Sequence, residues 1–377
     1  MEVKLRLLSY KYKDVDENQW SFSKIEFGKI NLLVGATSSG KSRLLNTIFN
    51  LGKFVAAKEF KKGSWDIIFE RNSKKYRWQL EAKEIDTNNI VERDIVSEFK
   101  NSEEFIIIDR DLGKFLYKDK ELPKLSKDET SVTILKDEDD IKNIYKGFSS
   151  IRRRNFDLDA LSAASSFDSI PIQLINDLEK KKDLEKIRSS SLSLSSVLFL
   201  FQKYFPSCFM EICDYYKSIF PFISEISIRD LGQLNKNLGV AGKVPVFCIK
   251  ERNVDTWITL EGLSSGMKKV LIILTDIYIL PEGSIYLIDE YENSLGINAV
   301  EFLPNFLLEL NKDIQFFITS HHPYIINKIP VKDWYVFHRT GSEVSIKYGE
   351  ELTQRFGKSK HQVFTQLIND PYFKVAE

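Results

Sequence analysis

Apolar residues recur along this chain with more than one period, and each period predicts a different element. The run Lys29–Val34 is apolar over the length of a strand, and Arg43–Phe49 has apolar residues at helical spacing. Met1–Arg6 alternates like a strand. Ser64–Glu70, Lys75–Glu81 and Glu104–Asp109 read as further strands, the first two joined by the hairpin turn Arg71-Asn72-Ser73-Lys74. From residue 137 to 221 the period becomes helical. Ile141, Ile144, Tyr145 and Phe148 share one face. Ile172, Leu174, Ile175, Leu178 and Leu184 mark a second helix after Pro171, and Leu198, Phe199, Phe201, Tyr204 and Phe205 mark a third. The serine cluster Ser189–Ser196 reads as a linker or a helix start. Strands return at Ile223–Arg229, Val244–Ile249 and Asp255–Leu260. A helix, a strand, a helix and a strand follow, up to about residue 340.

The join between the first long apolar run and the first helix carries the chemistry. Gly35-Ala36-Thr37-Ser38-Ser39-Gly40-Lys41-Ser42 fits the phosphate-binding pattern GxxxxGK[ST] and stands between a strand and a helix. The glycines let backbone N–H groups turn toward phosphate oxygens, and the helix N-terminus adds partial positive charge. Lys41 reaches the outer phosphates and Ser42 holds Mg²⁺. Arg43 completes the candidate set for binding a nucleoside triphosphate.

Three later segments supply a second half. Ser284–Glu290 is an apolar strand ending in two carboxylates, Asp289 placed for Mg²⁺ and Glu290 for the attacking water. Ser264 is an N-cap, and with Gly266 it opens a helix whose N-terminus makes a second anion site. Met267, Val270, Leu271, Leu274 and Tyr278 share a face of that helix. Gln315–Thr319 is another apolar strand, followed by His321 and His322, two of only four histidines. A neutral imidazole at either position suits a γ-phosphate or the attacking water. Adjacent histidines with no cysteine and no HxxxH partner do not suit a metal.

Composition narrows the class. Lys+Arg and Asp+Glu are both 54, so a globally basic nucleic-acid binder is not indicated. Arg152–Arg154 and Lys180–Lys182 read as solvated basic faces of helices, although such runs also suit a nucleic-acid backbone. Cys208, Cys213 and Cys248 form no CxxC pair, which leaves reduced buried thiols. The most apolar run, Val270–Leu280, is interrupted by Asp276 and too short for a bilayer. The expectation is a cytoplasmic protein without a membrane partner.

Taken in order, these motifs resemble the ATP-binding-cassette ATPases, specifically their SMC-like and OLD-like branch. Ser264-Ser265-Gly266 resembles the signature loop, Asp289-Glu290 the Walker B pair and His321 the switch histidine. The chain also resembles the ATPase subunits of bacterial anti-phage systems such as Septu or PARIS. The resemblance implies an α/β P-loop NTPase of ABC-head type with a strand-rich N-terminal part and an inserted helical lobe. Residues 1–136 and 222–377 would form the ATPase core and 137–221 the lobe. It further implies ATP and Mg²⁺ as ligands, and a homodimer or higher homo-oligomer in which the signature serine meets the partner's nucleotide. A separate nuclease or toxin effector would do the cutting or killing. A repair-type ATPase acting on DNA and a transporter ATPase subunit are the alternatives. The chain departs from the family pattern in three places. No glutamine loop is evident, Ser265 stands where glycine is usual, and Gly296 occupies the position of the D-loop acid or histidine.

Overall fold

The computed structural model describes residues 5–15, 20–123, 126–154, 156, 161, 166–234, 244–310, 312–356, 360–370 and 372. Of the alternating start, Met1–Lys4 lie outside the described residues. The chain opens with β1 (Leu5–Lys13), β2 (Ser21–Glu26), β3 (Ile30–Gly35) and helix α1 (Lys41–Ala56). A meander follows: β4 (Gly63–Arg71), β5 (Lys74–Ile85), β6 (Asn88–Lys100), β7 (Glu103–Asp111), β8 (Phe115–Tyr117) and β9 (Lys120–Glu121). Next come α2 (Ser131–Ile134), α3 (Asp139–Ser149) and the short strand β10 (Arg152–Arg154). Several helices precede β11 (Ile223–Asp230), β12 (Pro245–Glu251) and β13 (Ile258–Thr259). The helix Ser265–Ile279 leads to β14 (Ser284–Ile288), and β15 (Ile314–Thr319), β16 (Trp334–Thr340) and β17 (Glu343–Tyr348) complete the strands.

The chain divides into two compact units. One holds residues 1–154, 281–291 and 308–377, and the other holds 155–280 and 292–307. The first unit is built on a 14-stranded sheet in the order β10-β14-β15-β3-β16-β17-β2-β1-β4-β5-β6-β7-β8-β9. From β10 to β16 neighbouring strands run parallel. Every residue of β3, β14 and β15 is buried, which is why these strands read as unbroken apolar runs. The β1–β4–β5–β6–β7–β8–β9 portion is antiparallel, and β4 alternates residue by residue between buried and half-buried. Phe148 of α3 packs edge-on against Phe69 and Trp78 at 5.2 and 5.1 Å, seating that helix on the sheet.

Four hairpins of the meander share one device. Asn72-Ser73, Asp86-Thr87, Asn101-Ser102 and Lys118-Asp119 each place two successive residues at positive φ, between 48° and 70°. The flanking pairs Arg71–Lys74, Ile85–Asn88, Lys100–Glu103 and Tyr117–Lys120 sit directly opposite. This is the two-residue geometry whose twist matches that of the strands.

The second unit carries the three-stranded sheet β11-β12-β13 and helices. The single helix expected over Ile172–Leu184 is two, Ile172–Lys180 and Leu184–Arg188, because Asp183 caps the second by accepting from Glu185 N at 2.9 Å. The third helix stops at Tyr204, and Pro206 starts a new one, since the residue before proline is driven out of helical conformation. Of the strand expected over Asp255–Leu260, only Ile258–Thr259 pairs. No helix among the described residues is long and apolar enough to cross a membrane.

One buried charge in the first unit stands out. Arg71 ends β4 with 2% of its surface exposed, and its Nε and Nη1 have no hydrogen-bond partner among the described residues. Burial pushes its guanidinium down to about 10. Leaving buried donors unsatisfied costs about 1–3 kcal/mol. Arg71→Met keeps most of the volume and removes the donors, so it should raise stability by roughly that amount. Urea unfolding of the two proteins decides it. An equal or lower midpoint for the variant would show that the guanidinium is compensated.

Candidate functional site

β3 delivers the phosphate loop at its C-terminal end, where α1 begins. Gly40 caps α1 at φ 103°, a conformation that side chains resist, and a Cβ there would press on Val344 at 3.0 Å and Trp20 at 3.3 Å. Lys41 is buried, and its ammonium donates to Gly35 O at 2.9 Å, Ala36 O at 2.8 Å and Ser39 Oγ at 3.3 Å. The loop thus folds around its own cation. Its carbonyls orient Lys41 within the turn where phosphate oxygens would be gathered.

The parallel sheet brings the two distant carboxylates to this loop. β14 lies next to β15, and β15 next to β3, so the ends of all three strands meet. Ser42 Oγ donates to Asp289 Oδ1 at 3.0 Å, and Thr319 Oγ1 donates to the same oxygen at 2.7 Å. Thr319 Oγ1 also accepts from Glu290 N at 2.7 Å. Glu290 adopts φ 47°, a left-handed conformation that is costly for a residue with a Cβ. Strain of this kind collects at functional positions.

A cleft of about 340 Å³ is lined by the loop residues Thr37–Arg43 together with Trp20, Glu290, Thr319, His321 and Arg339. The two histidines have different places. His321 lines the cleft, whereas His322 caps the helix Pro323–Lys328, its Nδ1 accepting from Tyr324 N at 3.3 Å. Arg43 pairs with Asp14 and lies over the Trp20 ring at 4.5 Å. Arg339, on β16, lies over the same ring at 4.2 Å. Trp20, Thr319 and Arg339 carry no sequence signal of their own, since each is an isolated residue brought in by a neighbouring strand or loop. Trp20 thus holds two guanidinium groups beside the phosphate loop.

Ser264 and Gly266 belong to the second unit. Ser264 is the N-cap of Ser265–Ile279, accepting from Met267 N at 3.3 Å. Gly266 is needed for close packing, because a Cβ there would meet Ser294 O at 2.3 Å. One turn on, Lys269 donates to Asn293 O at 3.0 Å. The signature-like helix is thus fastened to the segment that follows Glu290.

The basic run Arg152–Arg154 corrects an expectation. It is not a solvated helix face but strand β10, parallel to β14. Arg153 Nη2 lies 3.1 Å from Asp289 Oδ2, and its Nη1 donates to Asn46 Oδ1 of α1. Sequence spacing gives no hint of this contact. The donor set around Asp289 suits Mg²⁺, which favours hydroxyl, carboxylate and phosphate oxygens and keeps several waters. Ser42 and Asp289 would hold it. Among the described residues no group of three His, Cys, Asp or Glu side chains is placed to hold a metal ion.

Comparison with known proteins identifies the class to which this geometry belongs. The family described as "AAA domain, putative AbiEii toxin, Type IV TA system" matches residues 30–327, most of the chain. The chain belongs to this family. It is therefore a P-loop ATPase domain of the AAA type, and the match runs from β3 past both histidines. The AAA domain is also similar to solved SMC heads. An SMC head bound to the C-terminal winged-helix domain of ScpA is 12% identical, with 90% of this chain and 96% of that chain covered and a TM-score of 0.50. The Pyrococcus furiosus SMC head with an extended coiled coil is 12% identical, covers 93% and 98%, and has a TM-score of 0.49. The Thermotoga maritima SMC head is 14% identical, covers 91% and 98%, and has a TM-score of 0.41. At these identities the likeness is one of fold. No curated protein matches the AAA domain.

Proposed function

We propose that this AAA domain binds and hydrolyses Mg²⁺-ATP, closes into a homodimer around it, and uses that cycle to control a separate effector, a nuclease or toxin of a bacterial defence system. The observation that carries the reading is the convergence on one cleft of Lys41, Ser42, Glu290 and His321, with Asp289 hydrogen-bonded to Ser42, drawn from three separated segments. Lys41 supplies charge for the outer phosphates. Ser42 and Asp289 hold the metal, Glu290 orients the attacking water, and His321 meets the γ-phosphate. Arg43 and Arg339, held over Trp20, add positive charge beside the loop. Ser264, at an N-terminus that attracts anions, completes the site of the partner copy.

The family's own description, with its toxin and toxin–antitoxin terms, supports the defence setting. Direct action on DNA loses one of its supports, because Arg153 is committed to Asp289 and Asn46 and is not presented to a phosphate backbone.

Light scattering tests the dimer. ATP should double the mass of the wild type in solution. Ser264→Arg should bind ATP with unchanged affinity and stay monomeric, apart from a cap loss of about 1 kcal/mol in stability. An ATP-loaded wild type that stays monomeric ends the dimer reading. Co-expression with the adjacent gene product then tests the effector, a stable complex being the expected result.

A further inference from the structure

The Asp289 carboxylate already has a cation. Its Oδ1 accepts from Ser42 and Thr319, and its Oδ2 faces the Arg153 guanidinium at 3.1 Å. The pair is well shielded, with 17% of the Arg153 side chain and 9% of the Asp289 side chain exposed. Arg153 is held at a second point. Its second nitrogen is anchored by Asn46, one helical turn beyond Ser42 and so further from the phosphate loop. Hydrogen bonding alone does not explain the arginine, since its Nε is buried with no partner among the described residues. A buried donor left unsatisfied opposes folding. What Arg153 adds is charge.

We infer that Arg153 is a positioning residue that neutralises Asp289 and so makes the Mg²⁺ site too weak to fill until nucleotide phosphates arrive with the metal. The inference rests on the Mg²⁺-nucleotide reading of the cleft. A divalent ion at Ser42 and Asp289 would sit within a few ångströms of a fixed positive charge, and at that range like charges repel strongly in a partly buried site. Triphosphate oxygens bring the negative charge that restores attraction. Arg153 also holds the carboxylate with Oδ1 toward Ser42, so the first metal ligand is set in advance of the ion. The device would keep free Mg²⁺ from occupying the apo cleft and would tie metal entry to ATP entry.

Mn²⁺ binding without nucleotide, read by electron paramagnetic resonance on the full chain, tests this. The wild type should bind Mn²⁺ weakly. Arg153→Gln, which keeps hydrogen-bonding capacity but removes the charge, should bind it at least about tenfold more tightly. Its melting temperature should rise on adding Mg²⁺, whereas the wild type's should barely move. Arg153→Lys should resemble the wild type. Because Arg153→Gln could fail to fold, Asn46→Ala provides a milder route. It frees the anchor of the guanidinium and should tighten Mn²⁺ binding by a smaller factor. Unchanged or weaker Mn²⁺ binding in Arg153→Gln overturns the inference, and so does an unchanged value in Asn46→Ala if the first variant is unfolded. These titrations contain no nucleotide. Tighter Mn²⁺ binding in a protein that takes up no ATP would therefore reject the nucleotide reading alone.

Discussion

Glu290→Gln should bind ATP as the wild type does while its hydrolysis falls by about 10²-fold or more. Glu290 lines the cleft beside Lys41 and Thr319, and its backbone N–H is fixed by Thr319 Oγ1 at 2.7 Å. The substitution leaves that anchor and the size of the side chain unchanged. It removes only the carboxylate that would take or orient the proton of the attacking water. Phosphate release measures the loss, and retention of bound ATP on a desalting column measures the uncoupling. Under the proposed cycle the variant accumulates as an ATP-loaded dimer. Phosphate release at the wild-type rate would remove Glu290 from the mechanism and leave the strained φ of 47° without a catalytic reason.

Lys41→Ala acts one step earlier. The ammonium is the side-chain cation enclosed by the loop, held by two carbonyls and one hydroxyl. With ATP present it would exchange some of these for phosphate oxygens, and hydrogen bonds to charged groups contribute about 1.5–3 kcal/mol each. Losing two of them predicts an affinity drop of about 10²-fold or more, since each 1.4 kcal/mol is a factor of ten. Titration with a fluorescent ATP analogue reads it. Far-ultraviolet circular dichroism should be unchanged, because β3 and α1 are held by apolar packing through Leu33, Leu44, Leu45 and Ile48. Undiminished affinity in this variant would disprove phosphate binding at the loop.

Much of the parallel core is legible in the amino-acid sequence. β3, β14 and β15 are buried on both faces, so each stands in the chain as a continuous apolar run. The meander is only half visible there. Its first hairpin turn is recognisable at Asn72-Ser73, but β6 is not. The turns that bound β6, Asp86-Thr87 and Asn101-Ser102, adopt the same positive-φ geometry as the first. The helical stretch holds several helices but also the strand β10, and its breaks are too coarse, because the cap at Asp183 and the stop ahead of Pro206 act over single residues.

The sequence by itself determined the α/β class and the phosphate loop, and it placed carboxylates and histidines at strand ends. These depend on local pattern: strand length, helical period and the spacing of glycines. Only the tertiary structure decided what those strand ends face. It set Thr319 between Asp289 and Glu290 and put Trp20 and Arg339 beside the loop. It also separated His321 from His322 and turned a basic run into a counter-ion for Asp289. The reason is that strand order in a parallel sheet is not sequence order. β10, β14, β15 and β3 are neighbours through long crossovers, and no local period records which side chains such crossovers bring together.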